Sequence, residues 1–208
     1  MMHDDKRGIR NLYCKFDGMC QPVNPGGIAC YGFVVQKKND QVNRIYEEGG
    51  IAMTPFSDES SNNVAEYVGL IKLLDWLSKN RYENFPILIQ GDSQLIINQI
   101  SGKYKVRSEK LMLYYEKTKS LIKNFNNIEI EWIARDNNKD ADDLANNAYI
   151  DFIDKNYECL YLKLKPHFAT DQQISRLRNL KINPSRYLSR IEANRFLKKY
   201  NKKMNFFN

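Results

Sequence analysis

The sequence predicts a mixed α/β domain with helices on both faces of its sheet, followed by a small basic helical appendage. Three observations carry this. Three segments of strand character fill the first quarter of the chain, and helical and extended periods alternate from residue 63 onward. The charge balance then shifts: residues 155–208 hold 13 Lys/Arg against 3 Asp/Glu, whereas residues 1–154 hold 19 against 22. The expected boundaries are therefore a body at 8–154 and an extension at 155–208.

Residues 11–16 alternate, with Leu12, Cys14 and Phe16 on one side and Tyr13 and Lys15 on the other, as a half-buried strand does. That strand is expected to end at Asp17-Gly18, before a turn from Pro22 to Gly27. A second strand at about 29–37, a polar turn at 36–41 and a third strand at about 42–51 complete an antiparallel meander. The polar stretch 57–63 is rich in residues that cap helices. Val64, Val68, Ile71, Leu74 and Leu77 then recur at steps of three and four, which predicts a helix over 63–79. A short apolar strand at 86–90, helices at 94–100 and about 108–124, a strand at 128–133 and a helix at about 139–154 follow.

In the extension, 160–165 reads as a short extended run closed by Pro166. Thr170-x-x-Gln173 and Ser189-x-x-Glu192 both match the capping box and open two short helices. Ile174, Leu177 and Leu180 share a face, as do Ala193, Phe196 and Leu197, with Pro184 between the helices. A hairpin this small gains stability by docking or by binding a partner.

Composition excludes several classes. A hydrophobic content of 42% with 13 tyrosines belongs to a folded protein, and no apolar run approaches the ~20 residues that span a bilayer. Residues 1–10 are charged and lack the apolar stretch of a secretory signal, so a cytoplasmic location is expected. Cys14, Cys20, Cys30 and Cys159 form no CxxC pair and have no nearby histidine, which argues against zinc and for reduced thiols. A carboxylate-rich body joined to a basic extension, at net charge +7, suits a metal-using enzyme that acts on a polyanion. A lysine-rich tail that is merely solvated is the plainer reading of the same charges.

Four carboxylates fall at element boundaries: Asp17 and Asp92 at strand ends, Glu66 in the first turn of a helix, Asp142 at the start of another. Four hard oxygen donors suit Mg²⁺ or Mn²⁺, and a pair of such ions serves phosphodiester cleavage. Each has a local alternative. Asp17 suits a turn, Glu66 suits a helix dipole, Asp92 suits a cap, and Asp142 is one of three neighbouring aspartates with Asp140 and Asp143.

Taken together, four ordered blocks resemble type 1 ribonuclease H. They are Phe16-Asp17-Gly18 leading to Asn24-Pro25-Gly26-Gly27; Asn62-Asn63-Val64-Ala65-Glu66-Tyr67; Gly91-Asp92-Ser93-Gln94; and Arg135-x-x-Asn138-x-x-Ala141-Asp142-x-Leu144-Ala145. The resemblance covers about residues 10–154. It is nearest to the archaeal-like short forms, because Gly102-Lys103-Tyr104-Lys105-Val106 runs directly into the next helix with no basic protrusion.

The resemblance implies a five-stranded mixed sheet flanked by helices, and endonucleolytic cleavage of the RNA strand of RNA–DNA hybrids. Asp17, Glu66, Asp92 and Asp142 match the family's catalytic, metal-holding carboxylates. By that likeness Asp17 bridges two ions, Glu66 and Asp92 complete one, and Asp142 the other. Asn24, Asn62, Asn63 and Gln94 match contacts to the hybrid's minor groove, where the 2′-OH distinguishes RNA from DNA, with Gly26 and Gly27 allowing close backbone approach. A broader nuclease that also cuts double-stranded RNA, and a non-catalytic hybrid-binding module, are the alternatives.

Two departures stand out. The loop before Asp142 lacks the histidine many relatives carry, and Arg135 is the nearest cation able to replace it. A phosphate contact, or an ion pair with Asp136 or Asp140, is the other reading of Arg135. With the basic protrusion missing, Arg176, Arg178, Lys181, Arg186, Arg190, Arg195, Lys198 and Lys199 are candidates to supply phosphate contacts. Tyr104, Tyr114 and Tyr115 are candidates for stacking, although tyrosines at helical spacing commonly belong to a core.

Overall fold

The structure is a computed structural model that describes residues 12–37 and 44–204. The elements are β1 (Leu12–Gln21), β2 (Ile28–Gln36), β3 (Arg44–Ile51), α1 (Asn62–Lys79), β4 (Ile87–Gly91), α2 (Gln94–Ile100), α3 (Glu109–Ile122), β5 (Ile128–Trp132), α4 (Lys139–Lys155), α5 (Tyr157–Leu164), α6 (Asp171–Asn179) and α7 (Arg190–Met204). The five strands form one mixed sheet in the order β3-β2-β1-β4-β5. β1–β2 and β2–β3 are antiparallel, while β1–β4 and β4–β5 are parallel. The expected polar turn at 36–41, and the first two residues expected of the third strand, lie largely outside the described residues.

The apolar patterns that predict these elements also explain the packing. β2 is buried at every position, as a strand covered on both faces must be. On one face Leu70, Leu73, Leu74 and Leu77 of α1 join Leu12, Phe16, Phe33 and Ile89 in the main core. Each such side chain contributes roughly 1.5–3 kcal/mol by leaving water. Ser61 caps α1 by accepting a hydrogen bond from the Val64 amide at 3.4 Å. On the other face Tyr149 and Ile153 of α4 pack on Ile28 and Cys30. Tyr114 and Tyr115 are packed against the main core, while Tyr104 stands 52% exposed.

Two glycines set how closely the helices approach. A Cβ on Gly18 would lie 2.1 Å from the Glu66 amide nitrogen, so the start of α1 rests on β1 backbone there. A Cβ on Gly32 would lie 2.3 Å from the Ala141 carbonyl oxygen, which puts the start of α4 against β2. Gly32 is the register partner of Asp17, and side chains alternate between faces, so these contacts bracket Asp17 from both sides of the sheet.

The extension docks on the α4 side. Leu164 and Tyr187 enter the cluster of Ile28, Cys30, Tyr149 and Ile153, and the Tyr187 hydroxyl donates to Asp154 at 2.6 Å. Leu177, Leu188, Ala193 and Leu197 form a small core between α6 and α7.

Three expectations need correction. β1 does not end at Asp17-Gly18 but runs to Gln21, because β2 pairs with it as far as Gln21–Ile28. The run at 160–165 is helical, not extended, up to Leu164. As a strand it would have placed Leu162 and Leu164 on one face, whereas Leu164 is buried and Leu162 is 77% exposed. The capping box at Thr170 is complete, but that at Ser189 is half made. Ser189 Oγ accepts from the Glu192 amide at 3.2 Å, while the Glu192 carboxylate turns to the body of the protein.

Candidate active site

The cleft forms where the two ladders around β1 part. β4 pairs with β1 only from Leu12–Ile87 to Lys15–Gln90, and beyond that point the strands diverge. Asp17 and Asp92 each lie two residues past the last pair, so their carboxylates face the gap that opens at the carboxyl end of β4. Glu66 joins them because Gly18 admits the first turns of α1. Oxygen atoms of Asp17, Glu66 and Asp92 all lie within 4.8 Å of one another.

This trio is held in a costly state. Asp17 and Glu66 are buried, and burial raises both carboxyls well above the ordinary range. For Asp17 the next causes are repulsion from Glu66, Asp92 and Asp142, opposed by Arg135. For Glu66 they are Asp92 and Asp142, again opposed by Arg135. Glu66 Oε2 is buried without a hydrogen-bond partner. A buried, unpartnered carboxylate oxygen beside two more carboxylates fits a divalent cation, since hard oxygen donors suit Mg²⁺ or Mn²⁺.

Asp92 is not the cap of α2. Ser93 fills that role by accepting from the Ile96 amide at 3.5 Å, which leaves the Asp92 carboxylate to the cleft. Asn138 steadies it, donating to the Phe16 carbonyl at 2.9 Å and to Asp92 Oδ1 at 3.4 Å. Trp132 Nε1 donates to the Asp92 carbonyl at 3.0 Å. Asp142 stands apart from the trio. Its Oδ1 accepts from Arg135 Nη2 at 2.9 Å, although it is near enough to repel Asp17 and Glu66. Arg135 pairs with Asp142 and faces Glu192 at 3.8 Å, not Asp136 or Asp140 as its sequence neighbours suggest.

The cleft, of about 560 Å³, is also lined by Asn24, Asn62, Asn63 and Gln94. Asn24 Oδ1 accepts from the Asn62 amide at 3.0 Å, and Asn62 Oδ1 accepts from the Cys20 amide at 2.5 Å, so both carbonyl ends lock the turn after β1 to the start of α1. Gly26 and Gly27 are not among the lining residues. Gly26 takes φ +92°, and a Cβ on Gly27 would lie 2.3 Å from the Val23 carbonyl, so both shape the turn that carries Asn24.

Sequence reasoning missed Trp132, Gln21 and Glu192. Only their positions beside strand ends or a cap signal hint at them. Gln21 Nε2 donates to Glu192 Oε2 at 2.7 Å across 171 residues of chain, a contact no local pattern encodes.

Known proteins share this fold. A family model described as reverse transcriptase-like matches residues 15–148. Ribonuclease HI of Halobacterium salinarum is 30% identical over 151 residues, covering 73% of this chain and 69% of that protein. The chain belongs to the ribonuclease HI family. Within the family it is 40% identical over 89 residues, 43% of its length, to the bifunctional protein Rv2228c of Mycobacterium tuberculosis, and spans only 24% of that protein. Among solved structures of the family, LC11-RNase H1 in complex with an RNA/DNA hybrid, from a compost metagenome, superimposes with a TM-score of 0.57 at 28% identity. The match covers 66% of this chain and 95% of that one. The family fold, the five-stranded mixed sheet flanked by helices, is thus present, and its acidic trio can hold a metal ion. Among the described residues no helix is long and apolar enough to cross a membrane.

Proposed function

We propose that this protein hydrolyses the RNA strand of RNA–DNA hybrids endonucleolytically, leaving 5′-phosphate and 3′-hydroxyl ends. The observation that carries the reading is the convergence of Asp17, Glu66 and Asp92, with a Glu66 oxygen buried and unpartnered. A protein that only bound hybrids would gain by losing this negative charge, which repels phosphate. Asp17, Glu66 and Asp92 would hold divalent ions, with Asp142 as a fourth ligand. Two such ions, Mg²⁺ or Mn²⁺, supply activation of the attacking water and stabilisation of the departing 3′ oxygen.

The chain's own groups do the rest. Asn24, Asn62, Asn63 and Gln94 contact the minor groove, where the 2′-hydroxyl separates RNA from DNA. The Gly26-Gly27 turn carries Asn24 into that contact. Asn138 and Trp132 hold Asp92 in place from its side chain and its backbone. Arg135 lines the cleft and compensates the charge of Asp142.

The test is cleavage of end-labelled RNA–DNA hybrid, duplex RNA and duplex DNA of one sequence, with Mg²⁺, with Mn²⁺ and with chelator. Metal-dependent internal cuts in the RNA strand of the hybrid, lost by at least ~10²-fold in Asp92→Asn, support the reading. Cuts that persist in Asp92→Asn overturn the site, and equal cutting of duplex RNA overturns the hybrid preference.

A further inference from the structure

The catalytic cleft does not end at the acidic residues. Its far wall is made by the extension: Ser189, Ile191, Glu192 and Arg195 line the same cleft as Asp17, Glu66 and Asp92. A second groove begins at Ile191 and Arg195 and continues along Asn194 and Lys198. Ile191, Arg195 and Lys198 stand at i, i+4 and i+7 of α7, which puts them in one stripe. All three are exposed, while Ala193 and Leu197 on the opposite side are buried in the small core against α6.

α7 is held at this angle by contacts to the body. Glu192 accepts from Gln21 at 2.7 Å and faces Arg135 at 3.8 Å, and Lys199 faces Asp136 at 3.8 Å. Within the extension, Arg190 donates to the Phe168 carbonyl at 3.1 Å. Those three side chains of α7 serve docking. Arg195 and Lys198 instead stand along the groove that leads away from the carboxylates.

We propose that the Ile191–Arg195–Lys198 stripe of α7 is a binding track for the sugar-phosphate backbone of the hybrid as it leaves the catalytic cleft. The idea rests on the hybrid-cleaving reading above and adds a second contact zone to it. Charge complementarity favours this occupant. Arg195 and Lys198 follow the carboxylates of Asp17, Glu66 and Asp92 along two grooves that meet at Ile191 and Arg195, so a polyanion held by its phosphates on α7 is carried across the acidic site. Ile191, 63% exposed at the junction, offers an apolar surface for a sugar. Of the basic residues that the extension contributes, this assigns the role to the pair that the fold brings to the cleft, not to the extension's net charge.

The experiment uses the full chain. Cleavage of a Mg²⁺-loaded hybrid by the unaltered protein is measured first. Binding of a labelled hybrid is then titrated against salt in an Asp92→Asn background, alone, with Arg195→Ala/Lys198→Ala, and with Arg176→Ala/Arg178→Ala. The last pair removes the same charge from α6, whose residues line neither groove. Loss of two phosphate contacts on α7 should lower the slope of log K against log salt by about 1.5–2 and weaken binding several-fold, while the α6 pair leaves the slope in place. An unchanged slope in the α7 pair overturns the track, and so does an equal change in both pairs, because overall charge then accounts for it. If the unaltered protein fails to cleave the hybrid, the hybrid-cleaving reading fails and the track fails with it; active protein with an unchanged slope sinks the track alone.

Discussion

Arg135 donates to Asp142 at 2.9 Å, and that pairing draws the fourth carboxylate away from the other three. The positive charge of the guanidinium also reaches Asp17 and Glu66, where it opposes the repulsion among the carboxylates. It therefore occupies, electrostatically, part of the place a divalent ion would take.

Removing that charge should tighten metal binding. Arg135→Ala leaves the acidic cluster with a more negative potential and releases Asp142 from its partner. A single charge at this range, partly screened by solvent, changes ion affinity about three- to tenfold. Calorimetric titration with Mn²⁺ checks it: the dissociation constant falls in Arg135→Ala, and a rise would show that the arginine supports the ion site instead.

The crowded carboxylates predict a pH-dependent stability. Asp17 and Glu66 hold their protons in the fold to a higher pH than they do in the unfolded chain. Between those two values the folded state binds more protons, so stability falls as pH rises through the window, and the loss is complete above the folded values. Asp17→Asn removes a contributor. It should raise the Tm of metal-free protein at about pH 7.5, by roughly 2–4 °C for each kcal/mol relieved, with a smaller gain near pH 5. Thermal melts at both pH values decide. A variant less stable than the native chain at the higher pH would mean that Asp17 is already compensated.

The close approach at Gly18 predicts a steric failure. An added methyl would lie 2.1 Å from the Glu66 amide nitrogen, so Gly18→Ala must push the start of α1 away from β1. Overpacking of this kind costs about 1–3 kcal/mol, and it displaces Glu66 from Asp17 and Asp92. The expected result is a lower denaturation midpoint together with loss of ion binding. Undiminished ion binding in a folded Gly18→Ala protein would contradict the packing described.

Docking of the extension is testable at Leu164. It is buried in the cluster shared by α4, β2 and Tyr187. Leu164→Ala should cost about 2–5 kcal/mol and lower the single melting transition of the whole chain. Should the main transition hold its temperature while a minor one moves, the extension unfolds on its own.

Much of this was legible in the sequence, and the exceptions share a cause. The strands and helices of the body follow hydrophobic period, as at Val64, Leu74 and Leu77, and the order of the acidic blocks carries the family. What misled was local chemistry overridden by tertiary contact. Asp17-Gly18 has turn character, yet β1 continues because β2 pairs with it to Gln21 and the space above Gly18 is filled by α1. Leu160, Leu162 and Leu164 alternate as a strand would, yet Leu160 and Leu164 also sit one helical turn apart, and the apolar surface of α4 selects the helix. Glu192 carries a cap signature, but a partly buried contact with Gln21 takes its carboxylate instead. Long-range pairs such as these leave no periodic trace.

The function proposed requires Asp17, Glu66 and Asp92 to share a divalent ion. Crystals soaked in Mn²⁺ and measured at the manganese absorption edge test this directly. The expected result is an anomalous peak about 2–2.5 Å from an oxygen of each of the three carboxylates. A peak elsewhere, or none between them at saturating Mn²⁺, would contradict it.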